Sequence, residues 1–204
     1  MTISIPKQIP AEVPRLKSRI VGAIGKAIVK LMGWRFDGEF PAEKKLMVAM
    51  APHTSNWDFF VAMPFLMAMR IKVSYMMKKE AFIFPFKRLF IALGGLPTDR
   101  KAAGGLAKQI SSAYRQHDQM WVAIMPEGTR KRVAKWKTGF LRIAYAADVP
   151  ILLIAWDFPN KRICVDSLYR PTGDLDTDMQ EIQRRFAKYQ GCRPENQTEF
   201  EEVA

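Results

Sequence analysis

Three stretches of this chain are apolar without interruption and too short for a helix: Leu46–Ala51 (LMVAMA), Met120–Met125 (MWVAIM) and Ile151–Trp156 (ILLIAW). Runs of that length and composition are expected of strands buried on both faces. Lys72–Met77 reads as a further short strand. Lys161–Val165 reads as another, joined to Ile151–Trp156 by a hairpin through Pro159-Asn160. Helical patterns lie between the runs: Asn56–Met69 with Pro64 as a kink point, an aromatic-rich segment Glu80–Leu93 broken at Pro85, Ala102–His117 and Thr138–Ala147. Pro126–Lys137 is a charged loop. Asp174–Gln190 is a polar amphipathic helix with Asp174 as its N-cap, and the chain from Gly191 is expected to fray. Strands that alternate with helices predict an α/β fold, a single domain with a central mixed sheet flanked by helices. In such folds sites form where loops leave the carboxyl ends of strands, which points to residues 52–58 and 126–132.

The N-terminal part has a different pattern. Pro6, Pro10 and Pro14 predict an irregular start, and a helix follows at about 15–32. At helical spacing Ile20, Ala23, Ala27, Ile28 and Leu31 form one apolar stripe, with Lys26 and Lys30 elsewhere on the turn. That suits a helix lying on an anionic membrane surface, and equally a helix packed on the domain. The boundaries drawn are 1–40 for this amphipathic segment, 41–192 for the α/β domain and 193–204 for an acidic tail.

Composition narrows the partners. Lys and Arg number 32 against 20 Asp and Glu, a formal net charge of +12 in 204 residues. Residues 70–148 hold sixteen of the basic and five of the acidic side chains, so this middle third supplies +11 of the surplus. The excess is therefore no terminal nucleic-acid arm. It points to an anionic partner met by the folded part: nucleic acid, phospholipid or a phosphorylated substrate. No segment reaches the roughly 18–20 apolar residues of a spanning helix, and the start lacks a signal-peptide pattern. Cys164 and Cys192 form no metal-spaced cluster with His53 and His117, and a reducing, cytosolic setting is the simpler expectation.

Two constellations carry chemistry. In the first, His53 follows the strand Leu46–Ala51 and Asp58 stands five residues on. On one continuous helix the two would sit about 140° apart and would not meet. If the helix starts at Ser55 or Asn56, the imidazole can fold back over the first turn beside Asp58. A carboxylate there fixes the tautomer and frees the other nitrogen to take a proton from a hydroxyl. Ser55-Asn56-Trp57-Asp58 also fits a capping box, in which Asp58 only closes the helix start. Ser55 stays open as a nucleophile. In the second, Glu127-Gly128-Thr129-Arg130 follows the strand Met120–Met125 and Pro126. Gly128 permits a tight turn, and Thr129 and Arg130 offer a hydroxyl and a bidentate fork to a phosphate.

The His-x4-Asp string His53…Asp58, with Pro126-Glu127-Gly128-Thr129-Arg130 about seventy residues later, resembles the glycerolipid acyltransferases, the lysophosphatidic acid acyltransferase group in particular. Gly94–Arg100 (GGLPTDR) is similar to that family's G-x-x-F-x-x-R block, and Val149-Pro150-Ile151 to its V-P-I block. The resemblance runs from about Leu46 to Trp156. It implies that His53 is the general base on the acceptor's free hydroxyl, supported by Asp58. It implies that Arg100, Glu127, Gly128, Thr129 and Arg130 bind the acceptor and its phosphate. It further implies transfer of a fatty acyl group from acyl-CoA or acyl carrier protein to a lysophospholipid, 1-acyl-sn-glycerol-3-phosphate giving phosphatidic acid, with no cofactor and no metal. Pro52 stands where the family often has Asn, and Pro97 where it usually has Phe. These departures leave room for another acceptor, such as a lyso-ornithine lipid, another lysophospholipid or a lipid A-type sugar. With the basic surface, the resemblance places the protein peripherally at the cytoplasmic side of an anionic membrane. A non-catalytic nucleic-acid binder would need Phe82, Phe84, Phe86 and Phe90 to stack bases between Lys87 and Arg88. That aromatic face is better read as core or lipid-facing, so no nucleic-acid partner is expected.

Overall fold

The computed structural model describes residues 5–6, 8–78, 80, 82–85, 87–92, 94–98 and 105–200. The chain forms a seven-stranded mixed sheet with helices on both faces. Its strands are β1 (Arg35–Asp37), β2 (Lys45–Ala51), β3 (Val73–Lys78), β4 (Gly95–Thr98), β5 (Met120–Ile124), β6 (Ile151–Asp157) and β7 (Arg162–Tyr169). They lie in the order β1-β7-β6-β2-β5-β3-β4. The β6–β7 hairpin is antiparallel, and the other pairs are parallel. The α-helices are α1 (Arg19–Met32), α2 (Trp57–Met69), α3 (Lys87–Ala92), α4 (Gly105–Gln116), α5 (Gly139–Ala147) and α6 (Leu175–Phe186).

The uninterrupted apolar runs are explained by two cores, one on each face. Side chains of a strand alternate between faces. In β2, Leu46, Val48 and Met50 join the core beneath α1 and α2, while Met47, Ala49 and Ala51 join the core beneath α4, α5 and α6. In β6, Leu152, Ile154 and Trp156 face the first core, and Ile151, Leu153 and Ala155 the second. Each core closes on helix side chains: Val61 and Phe65 of α2 on one side, Phe140 and Leu141 of α5 on the other.

β2 and β5 are parallel neighbours, with Lys45 opposite Met120 and Ala49 opposite Ile124. The helix after β2 packs on one face and the helix after β5 on the other. Their loops therefore leave the same end of the sheet and part at a crevice, where open α/β sheets bind ligands.

Several elements differ from the sequence expectation. β1 and β4 carry no apolar run; they form because β7 and β3 offer open edges to pair with. Among the described residues of the aromatic segment, the α-helix spans Lys87–Ala92. The start of α4 expected at Ala102 lies outside the described residues. The segment from Gly191 does not fray: up to Phe200 it packs against two loops of the domain, through hydrogen bonds that an acidic composition does not reveal.

Candidate active site

β2 ends at Ala51, and α2 begins at Trp57. That late start leaves His53 in the connecting loop, as the folding-back geometry requires. The His53 Nδ1 lies 2.8 Å from Asp58 Oδ2. The same carboxylate oxygen accepts the Thr54 amide at 3.0 Å and the Ser55 amide at 3.1 Å. Asp58 thus closes the start of the helix and orients the imidazole at once, so the two readings of its position describe one atom. With two N–H donors already on Oδ2, the Nδ1 contact is an N–H donor too. That leaves Nε2 as the nitrogen with the free lone pair. Asp58 is fully buried, and the His53 side chain is 15% exposed. Among the described residues His53 hydrogen-bonds to Asp58 and Glu127 and not to Ser55, whose Oγ accepts the Trp57 amide.

The second loop holds the first. The His53 backbone N–H donates to Glu127 Oε1 at 2.8 Å. Glu127 is buried, and desolvation pushes its carboxyl up to about 7 against the opposing pull of the His53 amide. Gly128 adopts a positive φ of 65°. That left-handed backbone is what calls for glycine, since a Cβ there would meet only the flexible end of the Lys137 side chain, at 2.8–2.9 Å. The loop is closed by the Gly128 amide on Met125 O and the Lys137 amide on Pro126 O. Arg130 Nη1 donates to Asn56 Oδ1 at 2.6 Å, a second tie between the loops. Nothing in the sequence flagged Asn56, because its partner lies 74 residues away.

Both loops border one cavity of about 630 Å³. His53, Gly128, Thr129, Arg130 and Lys131 line its polar part, and apolar side chains of α2 and the sheet line the rest. That volume falls in the range of small-molecule pockets, about 300–1,000 Å³. Phe59, Phe65 and Met76 line it. Phe60, the next residue of α2 after Phe59, is 60% exposed and is not part of the lining. Arg100 lies outside the described residues, so His53, Asp58 and the Glu127–Arg130 loop are the sequence-predicted residues that the structure brings together. The cavity therefore combines cationic side chains, one imidazole with a free nitrogen and a largely apolar remainder. Such a lining can pair with an anionic group, take a proton from a hydroxyl placed at the imidazole and bury apolar surface beside them.

A family model described as Acyltransferase matches residues 34–156. No curated protein matches the chain in sequence. Among solved structures, the fold is similar to the crystal structure of the 1-acyl-sn-glycerophosphate (LPA) acyltransferase PlsC from Thermotoga maritima. The TM-score is 0.55 and the sequence identity 18%, over 85% of this chain and 81% of that one.

Proposed function

The chain belongs to the acyltransferase family, and on that premise we propose that it moves a fatty acyl group from an acyl thioester to the free hydroxyl of a lysophospholipid. The acceptor proposed is 1-acyl-sn-glycerol-3-phosphate and the product phosphatidic acid, the donor being acyl-CoA or acyl carrier protein. One observation carries this reading. The imidazole held by Asp58 at 2.8 Å borders the same cavity as Thr129, Arg130 and Lys131. The name of the similar Thermotoga protein agrees with the acceptor.

His53 Nε2 takes the acceptor's hydroxyl proton as the oxygen attacks the thioester carbonyl carbon. The tetrahedral intermediate then collapses, the carbon–sulfur bond breaks, and the imidazolium returns its proton to the leaving thiolate. An oxygen ester and a free thiol result. The thioester is already activated, so the step calls for a base and for no metal or redox cofactor. Thr129, Arg130 and Arg100 are proposed to hold the phosphate, with Glu127 and Gly128 shaping their loop. The apolar cavity is proposed to take the acyl chain.

The membrane is proposed as the source of the acceptor. Ile20 and Leu31 of α1 are 73% and 87% exposed, and Trp57 at the start of α2, beside Asp58, is 62% exposed. No helix among the described residues is long and apolar enough to cross a membrane, which fits attachment at the surface.

The test is release of free thiol by the purified protein given acyl thioester and lysophosphatidic acid, with and without a chelator, and products identified by mass spectrometry. Turnover should survive the chelator. His53→Ala should lower kcat by about 10²–10⁴-fold, the usual contribution of a positioned base. Absence of turnover across a panel of donors and lysolipid acceptors would sink the proposal. Turnover with another acceptor alone would move it to the lyso-ornithine or other lysolipid class, which Pro52 and Pro97 leave room for.

A further inference from the structure

The segment Gly191–Phe200 lies beyond the family-matched residues, yet it touches both loops of the site. On the histidine side, the Arg193 amide donates to Thr54 Oγ1 at 3.0 Å, and Asn196 Nδ2 reaches Thr54 O at 3.5 Å. Gly191 presses on the same side chain: a Cβ there would stand 2.6 Å from Thr54 Oγ1 and 2.9 Å from its methyl carbon. On the other side, Thr198 Oγ1 accepts from Trp136 Nε1 at 3.3 Å and donates to Val133 O at 3.2 Å. The Trp136 ring packs edge-on against Phe200 at 5.3 Å, and Arg132 pairs with Glu199.

The segment is itself braced. Gln197 accepts the Gly191 amide at 3.0 Å and donates to Tyr189 O at 2.8 Å. Its root is tied to the turn after β6, where the Phe158 amide donates to Gln190 O at 3.0 Å. Thr54 is 2% exposed, follows His53 directly, and supplies one of the two backbone donors on Asp58. Whatever fixes Thr54 fixes both members of the His–Asp pair.

We infer that Gly191–Thr198 is a positioning strap of the active site, acting through Thr54 on the His53–Asp58 pair and through Val133 and Trp136 on the Glu127–Arg130 loop. This rests on His53 being the base. The strap touches no reacting atom in this scheme. Thr54 and Gly191 are positioning residues, and the cost of losing them should appear in kcat and in the state of the imidazole rather than in acceptor binding.

The variants are Thr54→Val, which keeps shape and removes the hydroxyl, Thr54→Ser, which restores it, and Gly191→Ala. Tyr145→Phe is a control that removes a hydrogen bond to Asp178 at 2.5 Å, a bond made by neither loop of the site nor the strap. Displacements below an ångström already cost rate, and roughly 1 Å costs about 10²-fold. Thr54→Val and Gly191→Ala should therefore lose roughly 10- to 100-fold in kcat with donor and acceptor KM little changed, and Thr54→Ser should recover most of it. A kcat that follows thermal stability alone, as in Tyr145→Phe, would overturn the inference. A second readout needs no turnover. The chain has two histidines, so the His53 ring signals in NMR are assignable against a His117→Gln variant. The strap predicts that Thr54→Val moves the His53 ring-nitrogen shifts. Unchanged signals would overturn it. An inactive wild type would defeat the acyl-transfer reading, while these signals would still decide the strap.

Discussion

Glu127 links the two loops through one hydrogen bond to the His53 backbone, and it does so while buried with its carboxyl held near pH 7. The sign of the consequence is fixed. Between its ordinary value of 4.5 and about 7 the native chain holds a proton at this site that the unfolded chain has lost. The native state binds more protons there, so this group makes stability fall as pH rises through that window. Glu127→Gln keeps an acceptor for the His53 amide and removes the titration. Denaturant unfolding at several pH values across the window should show a flatter decline in the variant. Parallel pH dependences would mean that Glu127 titrates alike in both states. At Arg130 the guanidinium both reaches Asn56 and borders the cavity. Arg130→Lys keeps the charge and loses the bidentate fork. Acceptor KM should rise, by about tenfold per 1.4 kcal/mol lost, with kcat less affected. A near-wild-type KM would remove Arg130 from the phosphate site. These residues were legible as motifs because their types and order survive in the string. Their mutual contacts were not, since sequence spacing holds no record of which loops a parallel β2–β5 pair brings side by side.

At the scale of elements, α1 shows where periodicity finds the right helix and the surface it buries comes from elsewhere. Ser18 caps it and Gly33 ends it in the left-handed region, close to the expected bounds. The stripe of Ile20, Ala23, Ala27, Ile28 and Leu31 is, however, the exposed face. The buried face is made by Gly22, Gly25 and Val29, which let α1 lie directly on α2. A hydrophobic count passes over glycines, because their contribution is close approach and not apolar area. A Cβ at Gly25 would stand 2.3 Å from the Ala68 backbone nitrogen. Gly25→Val should therefore push the helices apart and cost about 1–3 kcal/mol, the usual range for overpacking, read as a lower denaturant midpoint. An unchanged midpoint would show that α1 can shift along α2 without loss. The same logic explains β1 and β4. Arg35–Asp37 and Gly95–Thr98 hold too little apolar sequence to register alone, and they are strands because a neighbour's edge completes them. The long strands and α6 were legible because burial on two faces and a capping Asp174 leave local marks.

For the whole molecule, the charge and the exposed face of α1 become one question. With 3.6 residues per turn, Arg19, Lys26 and Lys30 fall within about 40° of one another. That line flanks the exposed Ile20, Ile24 and Leu31. Arg15 and Arg70 join Arg19 and Lys26 around a second groove. An apolar stripe bordered by cations is the form of a helix that lies in the headgroup region of an anionic bilayer. Electrostatic attraction and apolar insertion separate by their response to salt. Vesicles containing anionic lipid should sediment the protein, and neutral vesicles much less. Raising salt from about 0.1 M to about 1 M shrinks the screening length from about 10 Å to about 3 Å. It should release most of the bound protein without abolishing turnover on dispersed substrate. Leu31→Glu should weaken binding at every salt concentration, since it removes insertion and adds repulsion, while leaving kcat on dispersed substrate unchanged. Equal binding to neutral and anionic vesicles, or a Leu31→Glu variant that binds as wild type, would assign the +12 surplus to the donor and the acceptor headgroup alone. The exposed face of α1 would then need a protein partner.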